Sequence, residues 1–214
     1  VCPKNAADEI YILGNPPYLG YALQSSEQKD DMAFVFKNLE NFPMTMLYRE
    51  NNPEKISEST DPIFSLHQQA VSFLEKYTQH PFPFKKMDFA TIPVFQYGGM
   101  EHVGAIQYRE SKLFLDNSAT DSEKLSRGKL IAHEVSHMWF GDLVTMKWFN
   151  DVWMKEVFAN FMADKIMNPA FPEINHNLQF LTTHYPSAYE EDRTKGCQWL
   201  MDRLYPAGSI YWPM

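Results

Sequence analysis

The chain has 214 residues, 44% hydrophobic and 21% charged; these values exclude wholesale disorder and leave room for one large domain, or a domain with an appendage. Lys+Arg 19 against Asp+Glu 27 leaves a formal net charge of −8, which argues against a general nucleic-acid-binding surface, so no nucleic-acid partner is expected. Two cysteines, Cys2 and Cys197, permit one bridge at most, and neither a membrane-spanning apolar run nor a basic-then-apolar leader is present, which leaves the compartment open and no membrane span or signal peptide expected.

In chain order, Ile10-Tyr11-Ile12-Leu13 suits a buried strand, stopped by Gly14-Asn15-Pro16-Pro17. Residues 24–31 are polar, and Met32 to Leu39 reads as one or two helical turns before a boundary at Pro43. Residues 44–48 suit a strand, and Asn51 to Pro62 a polar loop ending in a helix start, with Asp61 as N-cap and Pro62 at the first helical position. Phe64, His67, Val71, Leu74 and Tyr77 then keep helical spacing as far as Gln79. Phe89 to Phe95 reads as a strand broken by Gly98-Gly99, and Ala105 to Tyr108 and Lys112 to Leu115 as two more, paired antiparallel. From Ser122 the pattern is helical up to Gly141, read as the glycine just past a helix end. Residues 146–150 suit a loop, Val152 to Met167 a helix stopped before Pro169, and Glu173 to His184 a further helix. Strands first and helices after predict an α+β fold, a small mixed sheet followed by helices.

The chemistry concentrates in His133-Glu134-Val135-Ser136-His137. On a helix, positions i and i+4 share a face, so both imidazoles can reach one cation, and Zn²⁺ accepts nitrogen ligands readily. Glu134 is rotated by about 100° from His133, beside the metal without ligating it, where a general base belongs. A catalytic zinc wants a third protein ligand and an open position. Glu156, in Trp153-Met-Lys-Glu156-Val-Phe-Ala-Asn160, offers that ligand from the next helix. An acid inside an otherwise aromatic and apolar helix also needs a partner, because a buried unpaired carboxylate is expensive.

His133-Glu134-Val-Ser-His137-Met-Trp-Phe-Gly141-Asp142-Leu-Val-Thr followed by Glu156 resembles the gluzincin metallopeptidases of the aminopeptidase N family, and Gly98-Gly99-Met100-Glu101-His102 resembles that family's Gly-x-Met-Glu-Asn exopeptidase motif. The resemblance runs from about Pro43 to Gly196, and it implies a thermolysin-like catalytic core. By resemblance, His133, His137 and Glu156 would ligate one Zn²⁺ per chain and Glu134 would be general base and acid. Glu101 would bind the free α-ammonium of a peptide, with Gly98, Gly99, Met100 and His102 lining the substrate. The glycines would let backbone approach the peptide closely. His102 stands where the family motif has Asn. Asp142 or Asn160 would orient a ligand histidine.

Residues 1–42 stand apart. Asp8-Glu-Ile-Tyr-Ile-Leu-Gly-Asn15-Pro16-Pro17-Tyr18 resembles the Asn-Pro-Pro-Tyr segment of adenine-specific DNA methyltransferases, in which the Asn holds a flipped adenine and the Tyr stacks on it. A working methyltransferase also needs a glycine-rich turn for its methyl donor, for which residues 1–7 leave no room. Ala207-Gly208-Ser209-Ile210-Tyr211 resembles a segment shortly before the family's catalytic tyrosine, expected just beyond Met214, with Tyr211 the nearest substitute donor. The expectation is an appended segment, 1–42, and a thermolysin-like catalytic domain, 43–214, truncated at its C-terminus. Its function is that of a zinc aminopeptidase acting on peptides with a free N-terminus, impaired by the truncation. The alternatives are an inactive zinc-binding remnant serving as a binding or structural module and, remotely, a DNA methyltransferase fragment.

Overall fold

The computed structural model describes residues 33–38, 43–148 and 151–193. In chain order it runs β1 (Ala33–Asn38), β2 (Pro43–Tyr48), α1 (Pro53–Thr78), β3 (Asp88–Ile92), β4 (Gly99–Met100), β5 (Ala105–Arg109), α2 (Glu110–Leu113), α3 (Asp121–His137), α4 (Val152–Met167), a 3-10 turn at Asn168–Ala170 and α5 (His176–Asp192). The chain divides into a unit Val1–Met167, which holds the five strands of the described residues, and a unit Asn168–Met214. The expected mix of a small mixed sheet and helices is what the structure has. Ile10–Leu13, Asn15 to Tyr18, Cys2, Cys197 and Tyr211 lie outside the described residues.

The sheet order is β1-β2-β3-β5-β4. β1 and β2 form an antiparallel pair, β2–β3 and β3–β5 are parallel, and β4 pairs antiparallel with β5. Parallel neighbours need a crossover, and α1 supplies it between β2 and β3. Alternate residues of the three inner strands are buried: Met44 and Met46, Phe89 and Thr91, Ile106 and Tyr108. From α1, Phe64 and His67 meet the Phe89 ring at centroid distances of 5.4 and 4.2 Å. His67 Nδ1–H donates to the Ile63 carbonyl at 2.8 Å, which leaves Nε2 to accept from the Tyr108 hydroxyl at 3.0 Å. Burial pulls the pKa of this core histidine down to about 4.

Several local expectations fail for identifiable reasons. Residues 33–38 form strand β1 rather than helical turns. Phe34-Val35-Phe36 has the residue types strands favour, and antiparallel pairing with β2 supplies backbone partners that one or two helical turns would lack. α1 begins at Pro53, eight residues before Asp61, because Asn52 Oδ1 caps Glu54 and Lys55 N–H at 3.0 and 3.3 Å. Pro62 is carried inside the helix, where Ser59, Ile63 and Phe64 are buried around it and outweigh the lost backbone bond. Tyr77, placed on the buried stripe by its spacing, is half exposed at 50%.

Lys112 to Leu115 is not a strand. Glu110–Leu113 is one helical turn that follows β5 directly and buries Leu113, and the antiparallel partner of β5 is β4. Gly98-Gly99 therefore does not simply break a strand, since Gly99–Met100 is itself the edge strand, in register with Tyr108 and Gln107. β3 stops at Ile92, short of Phe95. α5 starts at His176, not Glu173, and continues through Pro186 to Asp192.

Candidate metal centre and active site

α3 starts with a capping box, in which Thr120 Oγ1 accepts from Glu123 N–H and the Glu123 carboxylate accepts from Thr120 N–H. It ends at His137, before the expected stop at Gly141. The next turn is wider, with Asp142, Leu143 and Val144 N–H donating to the carbonyls of His137, Met138 and Trp139 at 3.0–3.2 Å. These bonds satisfy carbonyls that a helix end leaves free. Gly141 sits at φ +144°, in a region closed to most side chains, with His137 Nδ1 only 3.3 Å from where a Cβ would lie.

α4 lies against α3. Gly128 leaves room for Met167, Ala159 and Ala163 are buried, and Lys129 pairs with Asp164 across the two helices. Glu156 and Asn160 fall on one α4 face, i and i+4, and that face meets the histidines of α3. His133 Nε2 lies 3.4 Å and His137 Nε2 3.6 Å from Glu156 Oε2, and the two Nε2 atoms are 3.1 Å apart. The premise that Glu156 needs a partner through burial is not met, because its side chain is 45% exposed. Trp153, Val157, Phe158 and Phe161 of the same helix are also exposed. The three ligand atoms nonetheless gather within 4.8 Å of one another.

The fit to a cation follows from the hydrogen bonds. His137 Nδ1 is 3.1 Å from the Phe140 carbonyl, an acceptor only, so Nδ1 carries the proton and Nε2 presents a lone pair. With Asn160 Oδ1 accepting from His133 Nδ1 at 3.1 Å, His133 Nε2 presents a lone pair too. Two lone pairs at this separation repel unless a cation stands between them. Tetrahedral zinc, with metal–nitrogen bonds of about 2.0–2.1 Å, sets its ligand atoms roughly 3.3 Å apart, so the donor set suits it. Without a metal, a proton serves. Burial disfavours the charged His137 ring, but bonding to Glu156 and the nearby Glu101 outweigh it and hold its pKa above the ordinary value. Bonds to His133 and His137, with Lys155 besides, hold the Glu156 carboxyl far below the usual range.

Glu134 is 4% exposed, and its Oε2 has no hydrogen-bond partner. Burial pushes its carboxyl up to about 8; the Glu101 and Glu156 carboxylates push the same way, against His137 and Lys155. A buried carboxyl with an unpartnered oxygen is costly structurally and characteristic of acid–base sites. Edge strand β4 runs past it. A Cβ at Gly99 would stand 2.7 Å from Glu134 Cγ, so this glycine makes room for the carboxyl, a role distinct from the peptide approach inferred from the motif. Met100 pairs with Gln107, Arg109 N–H donates to the Gly98 carbonyl, and the His102 carbonyl accepts from Ala105 N–H. These backbone bonds fix the segment around Glu101.

Glu101 bonds to Lys155, and Lys155 Nζ is also 3.0 Å from Glu156 Oε1. Burial raises the Glu101 carboxyl, but the Lys155 bond and its own backbone N–H more than offset this, so it stays ionised below the usual range. The motif reading passed over Lys155; its one signal is a basic residue set directly before Glu156 in an apolar stretch. Of the two residues expected to orient a histidine, Asn160 holds His133, while the Phe140 carbonyl holds His137. Asp142 Oδ2 is buried without a partner, and burial, with Glu101 nearby, pushes that carboxyl up to about 7. Tyr211 lies outside the described residues. Among the described residues, no helix is long and apolar enough to cross a membrane.

Known proteins resemble parts of this chain. The chain is 40% identical over 151 residues to "Probable aminopeptidase 1" of Sulfurisphaera tokodaii, covering 67% of this chain and 19% of that protein. It is 39% identical to "Leucyl aminopeptidase" of Saccharolobus solfataricus over 59% of this chain and 16% of that one. It is 44% identical to human "Endoplasmic reticulum aminopeptidase 2" over 52% of this chain and 12% of that one. The chain thus spans less than a fifth of the length of these relatives. Residues 1–48 match the model of the MmeI DNA-methyltransferase domain, which includes the Asn-Pro-Pro-Tyr segment. The family model that takes in the whole His133–Glu156 constellation matches residues 64–206, about two-thirds of the chain, which therefore belongs to the peptidase family M1.

Proposed function

We propose that residues 43–214 form a thermolysin-like zinc peptidase core that removes N-terminal residues from peptides, with residues 1–42 an appended segment. The observation that carries this reading is the convergence of His133, His137 and Glu156 within 4.8 Å, beside a buried Glu134 with an unpartnered oxygen. Zinc held by His133, His137 and Glu156 would polarise the scissile carbonyl and bring the pKa of a water towards about 7.

The remaining chemistry belongs to side chains. Glu134 accepts the proton of the attacking water and later returns it to the leaving amine nitrogen. Its buried setting keeps competing water from that proton. Asn160 and the Phe140 carbonyl hold the two imidazoles with their Nε2 lone pairs turned inward. Glu101, fixed beside β4, offers a carboxylate to the α-ammonium of the substrate, which selects a free N-terminus over an internal bond.

Zinc content and turnover test the reading together. The purified chain should hold about one zinc. Glu134→Gln should keep the metal and lose turnover of unblocked aminoacyl reporters by roughly 10²–10⁴. N-acetylated reporters should be poor substrates throughout. Unchanged turnover in Glu134→Gln, or equal cleavage of blocked and free substrates, would overturn the assignment. Stoichiometric zinc with no turnover in the parent would instead favour a zinc-binding module.

A further inference from the structure

Lys155 joins two acids. Its ammonium bonds to Glu101 Oε1 and lies 3.0 Å from Glu156 Oε1. The side chains of Lys155 and Glu101 are only 19% and 17% exposed, so bulk water and salt screen this pair poorly. Glu134 and Glu101 crowd the same space, each offering an oxygen within 4.8 Å of a His137 nitrogen.

A lysine ammonium and the α-ammonium of a peptide are the same ionic group, each with three donors. They cannot both take the same carboxylate oxygen at full strength. The lysine stem is flexible, so the ammonium can leave Glu101 and keep Glu156. We propose that Lys155 is an internal stand-in for the substrate's α-ammonium, occupying Glu101 in the free chain and moving aside, still tethered to Glu156, when a free N-terminus binds. Lys155 is then a specificity-determining residue. It lowers the affinity for free amines by the fraction of chains in which Glu101 is open. The inference rests on the reading of Glu101 given under Proposed function.

The test is a binding titration followed by NMR on the full chain in EDTA, where no turnover occurs. The probes are L-leucinamide, which carries the ammonium, and N-acetyl-L-leucinamide, which does not. Lys155→Met keeps an unbranched side chain, one atom shorter, and removes the charge. It should tighten leucinamide binding by about tenfold and leave the acetylated probe unchanged. Lys155→Arg, which restores a cation, should return the affinity to within about threefold of the parent. Equal or weaker leucinamide binding by Lys155→Met, at an unchanged melting temperature, would overturn the proposal. Lys155→Gln provides the same comparison if the Met variant folds poorly. Glu101→Gln separates the two layers of argument. If it leaves leucinamide binding at the parental level, the reading of Glu101 falls and this proposal with it. If it abolishes binding while Lys155→Met fails to tighten it, the role of Lys155 alone is refuted.

Discussion

Gly99→Ala probes how tightly the edge strand is fitted to the general-base candidate. The new methyl would lie 2.7 Å from Glu134 Cγ and closer still to the carboxyl atoms, whereas ordinary contact begins at 3.4 Å, so Cγ must move away by about 0.7 Å and the carboxyl atoms by more. Glu134 is 4% exposed, which limits where its side chain can go, and Gly99 is held in register with Tyr108. Overpacking of this kind costs about 1–3 kcal/mol. The three atoms nearest the new methyl all belong to Glu134, so the penalty should vanish when that side chain is shortened. In a double-mutant cycle, Gly99→Ala should cost about 1–3 kcal/mol in the parent and close to nothing in Glu134→Ala, a coupling of similar size. Urea unfolding in EDTA measures it through the midpoint, with the slope unchanged in all four proteins. Equal costs in the two backgrounds, or no cost with Glu134 present, would refute the close approach of β4 to α3.

Other expectations concern the core and the metal. His67 is buried as the neutral ring with a pKa of about 4 against 6.5 for the free residue, so the unfolded chain binds the extra proton between these values. Stability from this group is complete above pH 6.5 and falls by about 3 kcal/mol towards pH 4, a loss that urea unfolding should find reduced in His67→Gln. Asn160→Ala frees the His133 ring and should weaken zinc binding by roughly 10–100-fold in a competition titration with a chelating dye, with the fold intact by circular dichroism. His137→Ala should lose zinc on dialysis, and full occupancy by elemental analysis would show that the ligand set is wrong.

How much was legible in the sequence depended on how local each interaction is. The i, i+4 histidines and the helix that carries them could be read directly, because helical periodicity puts such residues on one face, whereas the meeting of Glu156 with them depends on how α4 packs on α3. The bounds of α4, Val152–Met167, followed from an apolar stretch and the proline after it. The α+β class could be read from strands followed by helices, although α1 stands between β2 and β3 as their crossover. Errors gathered where local preference competed with partners distant in the chain. β1 has to pair with β2 to exist, α1 needed the Asn52 cap and a buried stripe to carry Pro62, and β5 found its antiparallel partner in β4 rather than in the residues after it. At the site, only tertiary packing decided that Gly99 makes room for Glu134, that Lys155 reaches Glu101 across 54 residues, and that a backbone carbonyl at Phe140 holds His137. No periodicity encodes such contacts. A side chain's residue type limits what it can bond to, but which partner it meets is set by how the helices and the sheet edge pack together.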